Sequence, residues 1–359
     1  MRFLIVVLIG VLLVAAVLID RMVNMPGRSS VSPLEALPLE LFPVKARLEN
    51  DVRYLAEVIG ERHYRNEGSL ERTAQYLERR LANLGYSVRV QAYGPGQPHP
   101  FKNLEVEIRG GKRPDEIVVI GAHYDTVPGS PGADDNATGI AALLELARDF
   151  SGKKPKRTIR FVAFVNEEEP FATTPAMGSM VYARAAREHG ERIMAMISLE
   201  SIGFYSDEPG SQNYPVPLRW LYPDTGIFLA FVGNFASCGL VRDAIASFRA
   251  QAQLPSEGLA IPEALVKDIG RSDHASFWRY GYSALMVTDT APFRNPNYHS
   301  EDDKADTLDF ERFTLAVLGL RRVVEDLAGA ADQTRIISCS YKHPFGYTTC
   351  EILKPGRLD

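Results

Sequence analysis

Apolar and polar residues follow one another along the chain in patterns that switch between helical and strand periods. Near the start, apolar residues recur at three- and four-residue spacing, which predicts amphipathic helices over residues 45–60 and 68–85. Short apolar runs then predict strands at residues 103–108, 117–120, 158–165, 193–199, 227–232 and 284–288. Longer amphipathic stretches predict helices at residues 139–150, 179–189, 239–251 and 309–327.

The alternation of strands with helices predicts an α/β fold. After the first, the predicted strands are nearly continuous apolar runs, as in parallel strands that helices cover on both faces. We therefore expect a mostly parallel central sheet with helices on both faces, formed by residues 45–330. Residues 26–44, rich in proline and small side chains, are predicted to be a linker. Residues 331–359 lose periodicity and are predicted to be a C-terminal tail.

Residues 1–25 are predicted to be a membrane anchor or a signal segment. Residues 3–19 contain no charged side chain and lie between Arg2 and Asp20. A helix of this length spans roughly 25 Å, close to the ~30 Å hydrocarbon core of a bilayer. Both alternatives stay open, although the lack of a clean cleavage site favours the anchor. Either one places the domain outside the cytoplasm, anchored to the membrane or secreted into the periplasm or beyond.

Composition excludes several classes of function. Lysine and arginine number 40 against 45 acidic residues, a net charge of −5, which disfavours nucleic-acid binding because phosphate recognition normally needs a basic surplus. Three cysteines without a Cys-x-x-Cys pair exclude a zinc site made of thiolates. A disulfide between Cys339 and Cys350 is an open hypothesis, because an oxidising compartment would permit it.

Ionisable residues that can bind metal ions follow the predicted strands. His123 and Asp125 follow the strand predicted at residues 117–120, and Glu167 and Glu168 follow the next. Glu200 follows the third strand, and a fourth leads through a loop to His299. Asp135 comes shortly before the helix predicted at residues 139–150. Because the carboxyl ends of parallel strands meet at one edge of a sheet, we expect these side chains to lie together. Two histidines with three carboxylates suit zinc, and an acid between two such ions can bridge them.

Five segments carry a resemblance to a known family. In chain order they are GAHYDTVPGSPGADDNATG, RFVAFVNEEEP, ISLESIG, SDHASFWRYGYSALM and NYHSEDDKADTLD. Together they resemble the zinc aminopeptidases of peptidase family M28, and the match runs from about residue 50 to 330. The resemblance implies the zinc exopeptidase fold of phosphorylase/hydrolase-like type, two zinc ions per chain, and peptide substrates with a free N-terminus.

The resemblance also implies a role for each matching residue. The ligands would be His123 and Glu200 at one zinc, Glu168 and His299 at the other, and Asp135 between both. Members of the family vary between aspartate and glutamate at the position of Glu200, so Glu200 departs from the aspartate form of the motif. Glu167 would be the general acid and base, Asp125 would orient His123, and Tyr298 would stabilise the tetrahedral oxyanion.

Two questions about the site remain open at this level. The run Glu167-Glu168-Glu169 fits a Glu-Glu motif in two registers, and the preceding segment TIRFVAFVN favours the first.

The function has two alternatives, a single-zinc acyltransferase similar to glutaminyl cyclases and a non-catalytic ectodomain. The complete set of five ligands favours the two-zinc peptidase over both. No arginine among the motif residues offers a clamp for a terminal carboxylate, which favours attack at the N-terminus.

Overall fold

Among the described residues, the strands include all six that the sequence predicts and four more. The computed structural model describes residues 10, 13, 16–31, 34, 36–96, 100–215, 218–330, 336–340 and 349–353. Within these residues the strands are β1 (Arg89–Tyr93), β2 (Phe101–Ile108), β3 (Arg113–His123), β4 (Arg157–Phe164), β5 (Arg192–Glu200), β6 (Leu229–Gly233), β7 (Ser256–Ala260), β8 (Ala284–Thr288), β9 (Ile336–Ser340) and β10 (Thr349–Leu353). The additional strands are β1, β7, β9 and β10. Strand β1 lacks an apolar run because it is largely exposed at the sheet edge.

The predicted helices are also present, with bounds shifted by a few residues. In the described residues they are α1 (Phe42–Arg53), α2 (Glu67–Asn83), α3 (Gly139–Phe150), α4 (Gly178–Glu188), α5 (Cys238–Arg249) and α8 (Phe310–Ala328). Two further helices are α6 (Asp273–Arg279) and α7 (Ala291–Arg294). Helix α1 continues into a π-helical turn at Tyr54–Ile59, which completes the helix predicted at residues 45–60. Helices α6 and α7 were not predicted, because seven and four residues are too few to show a period.

A mixed eight-stranded sheet forms the centre, in the order β1-β2-β4-β3-β5-β8-β6-β7. The four middle strands β4, β3, β5 and β8 are parallel, as predicted. The edges depart from that expectation, because β1 and β2 run antiparallel on one side and β6 lies antiparallel to β8 on the other. The carboxyl ends of the parallel strands therefore share one edge of the sheet.

Helices cover both faces of the sheet, and β3 shows why the sequence folds in this way. Its side chains point alternately to opposite faces. Val118 and Ile120 belong to the larger apolar cluster, which also contains buried residues of α1, α3, α5 and α8. Ile117 and Val119 belong to a second cluster, packed beneath α4 and α6. A continuous apolar run is thus the pattern that two covered faces require.

The predicted linker at residues 26–44 is packed against the domain over part of its length. Leu37, and Met25 directly before this segment, are each only 6% exposed. The Arg249 guanidinium donates to the carbonyl of Met25 at 3.1 Å, and the hydroxyl of Ser29 accepts from the Ser256 amide at 2.8 Å. Helix α1 begins inside this segment, at Phe42.

The two ends of the chain are only partly described. Most of the apolar run at residues 3–19 lies outside the described residues, and no helix within them is long and apolar enough to span a bilayer. Near the other end, β9 and β10 pair antiparallel within the predicted tail, with Cys339 opposite Cys350. The side chains of these two cysteines lie outside the described part, so their disulfide stays a prediction.

Candidate metal centre

The parallel strands bring the predicted site residues to one edge of the sheet. Strand β3 ends at His123, which pairs with Phe164 at the end of β4. Strand β5 ends at Glu200, which pairs with Thr288 at the end of β8. Glu167 follows β4 by three residues. Within the described residues, histidine and acidic side chains form two groups of three that could each hold a metal ion.

The first group contains His123, Asp135 and Glu200. Nε2 of His123 lies 3.2 Å from Oδ1 of Asp135 and 3.2 Å from Oε2 of Glu200. Nδ1 of His123 lies 3.2 Å from the carbonyl oxygen of Asp125. That contact fixes the ring with Nε2 directed towards the two carboxylates.

The second group contains Asp135, Glu168 and His299. Nε2 of His299 lies 3.0 Å from Oδ2 of Asp135 and 3.3 Å from Oε1 of Glu168. Each oxygen of Asp135 therefore faces a different histidine. All five predicted ligands are brought together, and Asp135 is common to both groups.

Asp135 is held rigidly because hydrogen bonds fix the backbone around it. It lies in a turn at Ala133–Thr138 that precedes α3, where the backbone angles of Asp135 and Asn136 are not helical. The carboxylate of Asp303 accepts from the amides of Asp134 and Asp135, at 2.8 and 3.1 Å. The Asn136 side chain donates to the carbonyl of Leu199 at 2.8 Å, which ties the turn to β5.

The carboxylate of Asp125 connects the first strand end to the second. Its two oxygens accept from the amides of Glu167 and Glu168 at 3.1 and 3.2 Å. Its Oδ1 lies 3.5 Å from Nδ1 of His123, farther than the carbonyl oxygen of the same residue. The structure thus adds to the predicted role, because Asp125 contacts His123 mainly through its backbone and uses its side chain to position both glutamates.

Two serines hold the carboxylate of Glu200. The hydroxyl of Ser272 donates to Oε2 at 2.7 Å, and that of Ser201 donates to Oε1 at 3.3 Å. Ser272 directly precedes α6, a helix that the sequence did not predict. The carboxylate of Glu200 is therefore held by a hydrogen bond at each oxygen.

Burial and crowding of acids shape the electrostatics of the centre. Burial, together with the neighbouring Asp135 carboxylate, raises the pKa of Glu168 to about 8. Burial also raises the pKa of Glu167 well above its ordinary value, although the nearby His123 opposes that shift. Burial would raise the pKa of Asp135 too, but its close contacts with His123 and His299 lower it below the usual range.

The donor atoms fit a bound cation. Oδ1 of Asp135 and Oε1 of Glu168 are buried and lack a hydrogen-bond partner among the described residues. A histidine Nε2 lies near each of them, outside hydrogen-bond geometry. Buried carboxylate oxygens without a partner are costly, and coordination to a metal ion removes that cost.

Left-handed backbone conformations concentrate at this centre. Asn166 directly before Glu167, Ser201 directly after Glu200, and His299 itself have φ angles of 61°, 46° and 59°. Such conformations cost free energy in non-glycine residues and persist where the surroundings enforce them. They turn the chain sharply at three strand ends or loops and aim the side chains inward.

An apolar cavity of about 120 Å³ opens beside the two groups. Glu167, Glu200 and Tyr298 form its wall on the side of the metal centre. The rest of the lining is mainly apolar and includes Leu218, Phe228, Val232, Val266, Ile269 and Met286. The Tyr298 ring stacks on His299 with the ring centres 3.8 Å apart, so its hydroxyphenyl group lies between the cavity and the second group.

Sequence reasoning predicted the candidate ligands that the structure brings together, and missed several residues that hold them. Asp303 lies in a segment quoted for the resemblance, but a carboxylate that accepts from backbone amides leaves no sequence signal. Glu169 is exposed, whereas Glu167 and Glu168 are both buried, which agrees with the first register of the glutamate run. Nε2 of His274 donates to the carbonyl of Ile269 at 2.6 Å, and the ring packs edge-on against Trp278, so His274 belongs to neither group.

Comparisons with known proteins agree on one family. The profile of peptidase family M28 matches residues 103–316. The chain is 36% identical over 299 residues to the uncharacterized protein YfbL of Escherichia coli, covering 81% of this chain and 90% of that protein.

Solved structures show the same fold at low sequence identity. BSAP, a zinc aminopeptidase from Bacillus subtilis, superposes with a TM-score of 0.61 at 15% identity, covering 82% of this chain and 96% of that one. A glutaminyl cyclase from Porphyromonas gingivalis superposes with a TM-score of 0.57 at 18% identity, covering 79% and 98%.

The turn that carries Asp135 predicts a specific sensitivity to substitution at Gly132. This glycine has φ 61°, and a Cβ atom there would lie 2.3 Å from Thr126 and 2.4 Å from the Asp135 carbonyl oxygen. We expect Gly132→Ala to lower stability by roughly 2 to 4 kcal/mol, from left-handed strain together with overpacking. Thermal unfolding measures the loss.

Gly129→Ala is the matched control, because Gly129 is also left-handed but has no atom within 4 Å of an added Cβ. It should therefore show only the strain contribution. Equal melting temperatures for the two variants would contradict the close approach around Gly132.

Proposed function

The chain belongs to peptidase family M28, and from that membership we propose that it is a zinc-dependent aminopeptidase acting on peptides with a free N-terminus. The observation that carries the proposal is the pair of ligand groups that share Asp135 at the edge of an apolar cavity. A hydrolase of this kind needs a polarising centre, a proton acceptor and a binding pocket close together, and this chain has residues for each.

The proposed metal centre holds two zinc ions. His123 and Glu200 would bind one ion, Glu168 and His299 the other, and Asp135 both. Zinc takes imidazole nitrogen and carboxylate oxygen, which are the donors of both groups. When bound, zinc polarises a carbonyl group and makes water acidic enough to ionise near neutral pH.

Glu167 is the proposed proton carrier. Its Oε2 lies 4.0 Å from Nε2 of His123, so it stands beside the first group without belonging to it. Burial raises the pKa of its carboxyl group, which makes it a stronger base than an exposed glutamate. It would accept a proton from the attacking water and return that proton to the amine that leaves.

Tyr298 and the cavity are proposed to bind the substrate. The tyrosine lies in the cavity wall with Glu167 and Glu200, where its hydroxyl can donate to an oxyanion. Burial raises the pKa of this hydroxyl beyond its ordinary range, and the surrounding carboxylates raise it further, so it keeps its proton. The apolar lining would take a large apolar first side chain of the peptide.

The charge around the cavity favours the amino end of a peptide. Glu167 and Glu200 attract an α-ammonium group and repel a terminal carboxylate where water is excluded. Arg271 lines the cavity, but its guanidinium donates to Asp268 at 2.8 Å. Arg294 is buried and donates to Gln212 at 2.8 Å.

The same fold also occurs in a glutaminyl cyclase, so an acyltransferase with one zinc is the second candidate. The second group of three potential ligands favours two ions and hydrolysis instead.

For the location of the protein, we propose that residues 1–25 anchor the domain outside the cytoplasm or are removed on export, because residues 3–19 form an uncharged run.

Replacement of Glu167 tests the proton carrier. Glu167→Gln keeps the shape of the side chain and cannot accept the proton, so kcat should fall about 10²- to 10⁴-fold with the zinc content unchanged. Glu169→Gln is the matched control, because the exposed Glu169 is two residues away and should leave kcat at the wild-type value. Turnover of an apolar aminoacyl chromogenic substrate, together with elemental analysis, measures both.

Replacement of the proposed ligand Glu168 should affect zinc binding, unlike replacement of Glu167. Glu168→Gln should lose zinc as well as turnover, because it removes a charged ligand from the second group. If Glu168→Gln kept its zinc and lost only turnover, the two glutamates would have exchanged roles.

Blocking the amino group tests which end of a peptide is attacked. A peptide that begins with leucine or phenylalanine should lose that residue first, and its N-acetylated copy should be nearly inert because the ammonium group is gone. Mass spectrometry of the products over time measures the order of release. Equal cleavage of both peptides, or release of the C-terminal residue first, would overturn the aminopeptidase assignment.

A further inference from the structure

Arg62 is a buried cation that lies outside the segment matched by the family profile. It follows the π-helical turn at Tyr54–Ile59 and precedes α2, and its side chain is fully buried. A buried guanidinium normally pairs with a carboxylate. This one donates instead to backbone carbonyl groups.

The guanidinium makes five hydrogen bonds to backbone carbonyl oxygens. Nε donates to Tyr124 at 2.8 Å, and Nη2 donates to Gly132 at 2.8 Å. Nη1 donates to Pro131 at 2.7 Å, and to the carbonyls of Leu55 in the π-helical turn and of Gly60 directly after it, each at 2.9 Å. All three nitrogens are thus occupied by loops that converge on one side chain.

The backbone of Arg62 joins the same loops. Its amide donates to the Thr126 hydroxyl at 3.1 Å, and its carbonyl accepts from the Thr126 amide at 2.9 Å. Residue 62 is therefore attached to the loop after β3 through both its main chain and its side chain.

These loops carry the ligands of the first group. Tyr124 stands between His123 and Asp125, and Pro131–Gly132 directly precedes the turn that carries Asp135. A single planar cation spans both segments, so it determines how far the backbone of His123 lies from that of Asp135. Only a guanidinium offers donors in a fixed planar fork to both segments at once.

The charge of Arg62 also matches its surroundings. Burial lowers the pKa of the guanidinium to about 10, and the carboxylates of Asp303, Asp125 and Asp135 oppose that shift. The group is therefore cationic at neutral pH. Its charge offsets part of the repulsion among the buried acids of the centre.

We propose that Arg62 is a positioning residue for the metal centre, which sets the spacing of His123 and Asp135 and thereby the metal affinity of the first group. The proposal rests on the proposed function, since it assumes that the centre binds zinc. It predicts an effect on metal binding beyond the loss of stability that any buried arginine would cause.

Arg62→Lys tests this proposal because it keeps the charge and has at most three donors on one atom. We expect zinc affinity, measured by chelator competition, to fall about 10- to 100-fold, as for other residues that orient metal ligands. At saturating zinc, kcat should also fall while KM for an apolar substrate stays unchanged, because Arg62 does not line the cavity.

Arg160→Lys is the matched control. Arg160 is a buried arginine in β4 that donates to Glu191 at 2.6 Å and to Glu107 at 2.8 Å, away from the ligand loops. Its replacement should lower the melting temperature and leave zinc affinity unchanged. Arg62→Gln, which keeps two N–H donors without the charge, is the second variant if Arg62→Lys does not fold, and the same fall in zinc affinity is expected.

The outcomes separate this proposal from the proposed function. Wild-type zinc affinity and kcat in the Arg62 variant, with a loss of stability like that of Arg160→Lys, would overturn the positioning role alone. A wild-type protein that binds no zinc would overturn the proposed function and this proposal with it.

Discussion

The position of one carboxylate, Asp135, connects every part of the site. Its two oxygens face Nε2 of His123 and Nε2 of His299, at 3.2 and 3.0 Å. Its backbone amide is bonded to the Asp303 carboxylate, and its turn opens α3 against the sheet. The two ligand groups are therefore parts of one unit, and a displacement of this turn would disturb both.

Such a concentration of buried acids is unfavourable without positive charge nearby. The protein supplies some of that charge from Arg62, and the histidines lower the pKa of Asp135. Two carboxylate oxygens of the centre still lack hydrogen-bond partners among the described residues. Strained backbone at Asn166, Ser201 and His299 adds to the cost. These features lower the stability of the folded protein at the edge of the sheet where the candidate ligands converge, and a bound cation would restore part of that stability.

The candidate ligands could be predicted from the sequence because, in a parallel sheet, the place where an apolar strand ends also gives the position of the side chain there. His123 and Glu200 each end an apolar strand, so the pattern of the strand also locates the side chain. Residues that act through backbone groups could not be found in this way. Arg62 donates to carbonyls that every residue possesses, and Asp303 accepts from amides, so neither leaves a pattern. The edge strands β1 and β7 were missed for a related reason, since short, partly polar strands lack an apolar run.

The central claim is that one carboxylate serves two metal sites, and a zinc titration of the metal-free protein tests it most directly. The account predicts two zinc ions per chain, with full activity only when both are bound, and a single ion in a His299→Ala variant that keeps the first group intact. A wild-type enzyme that is fully active with one zinc ion, or with none, would contradict it.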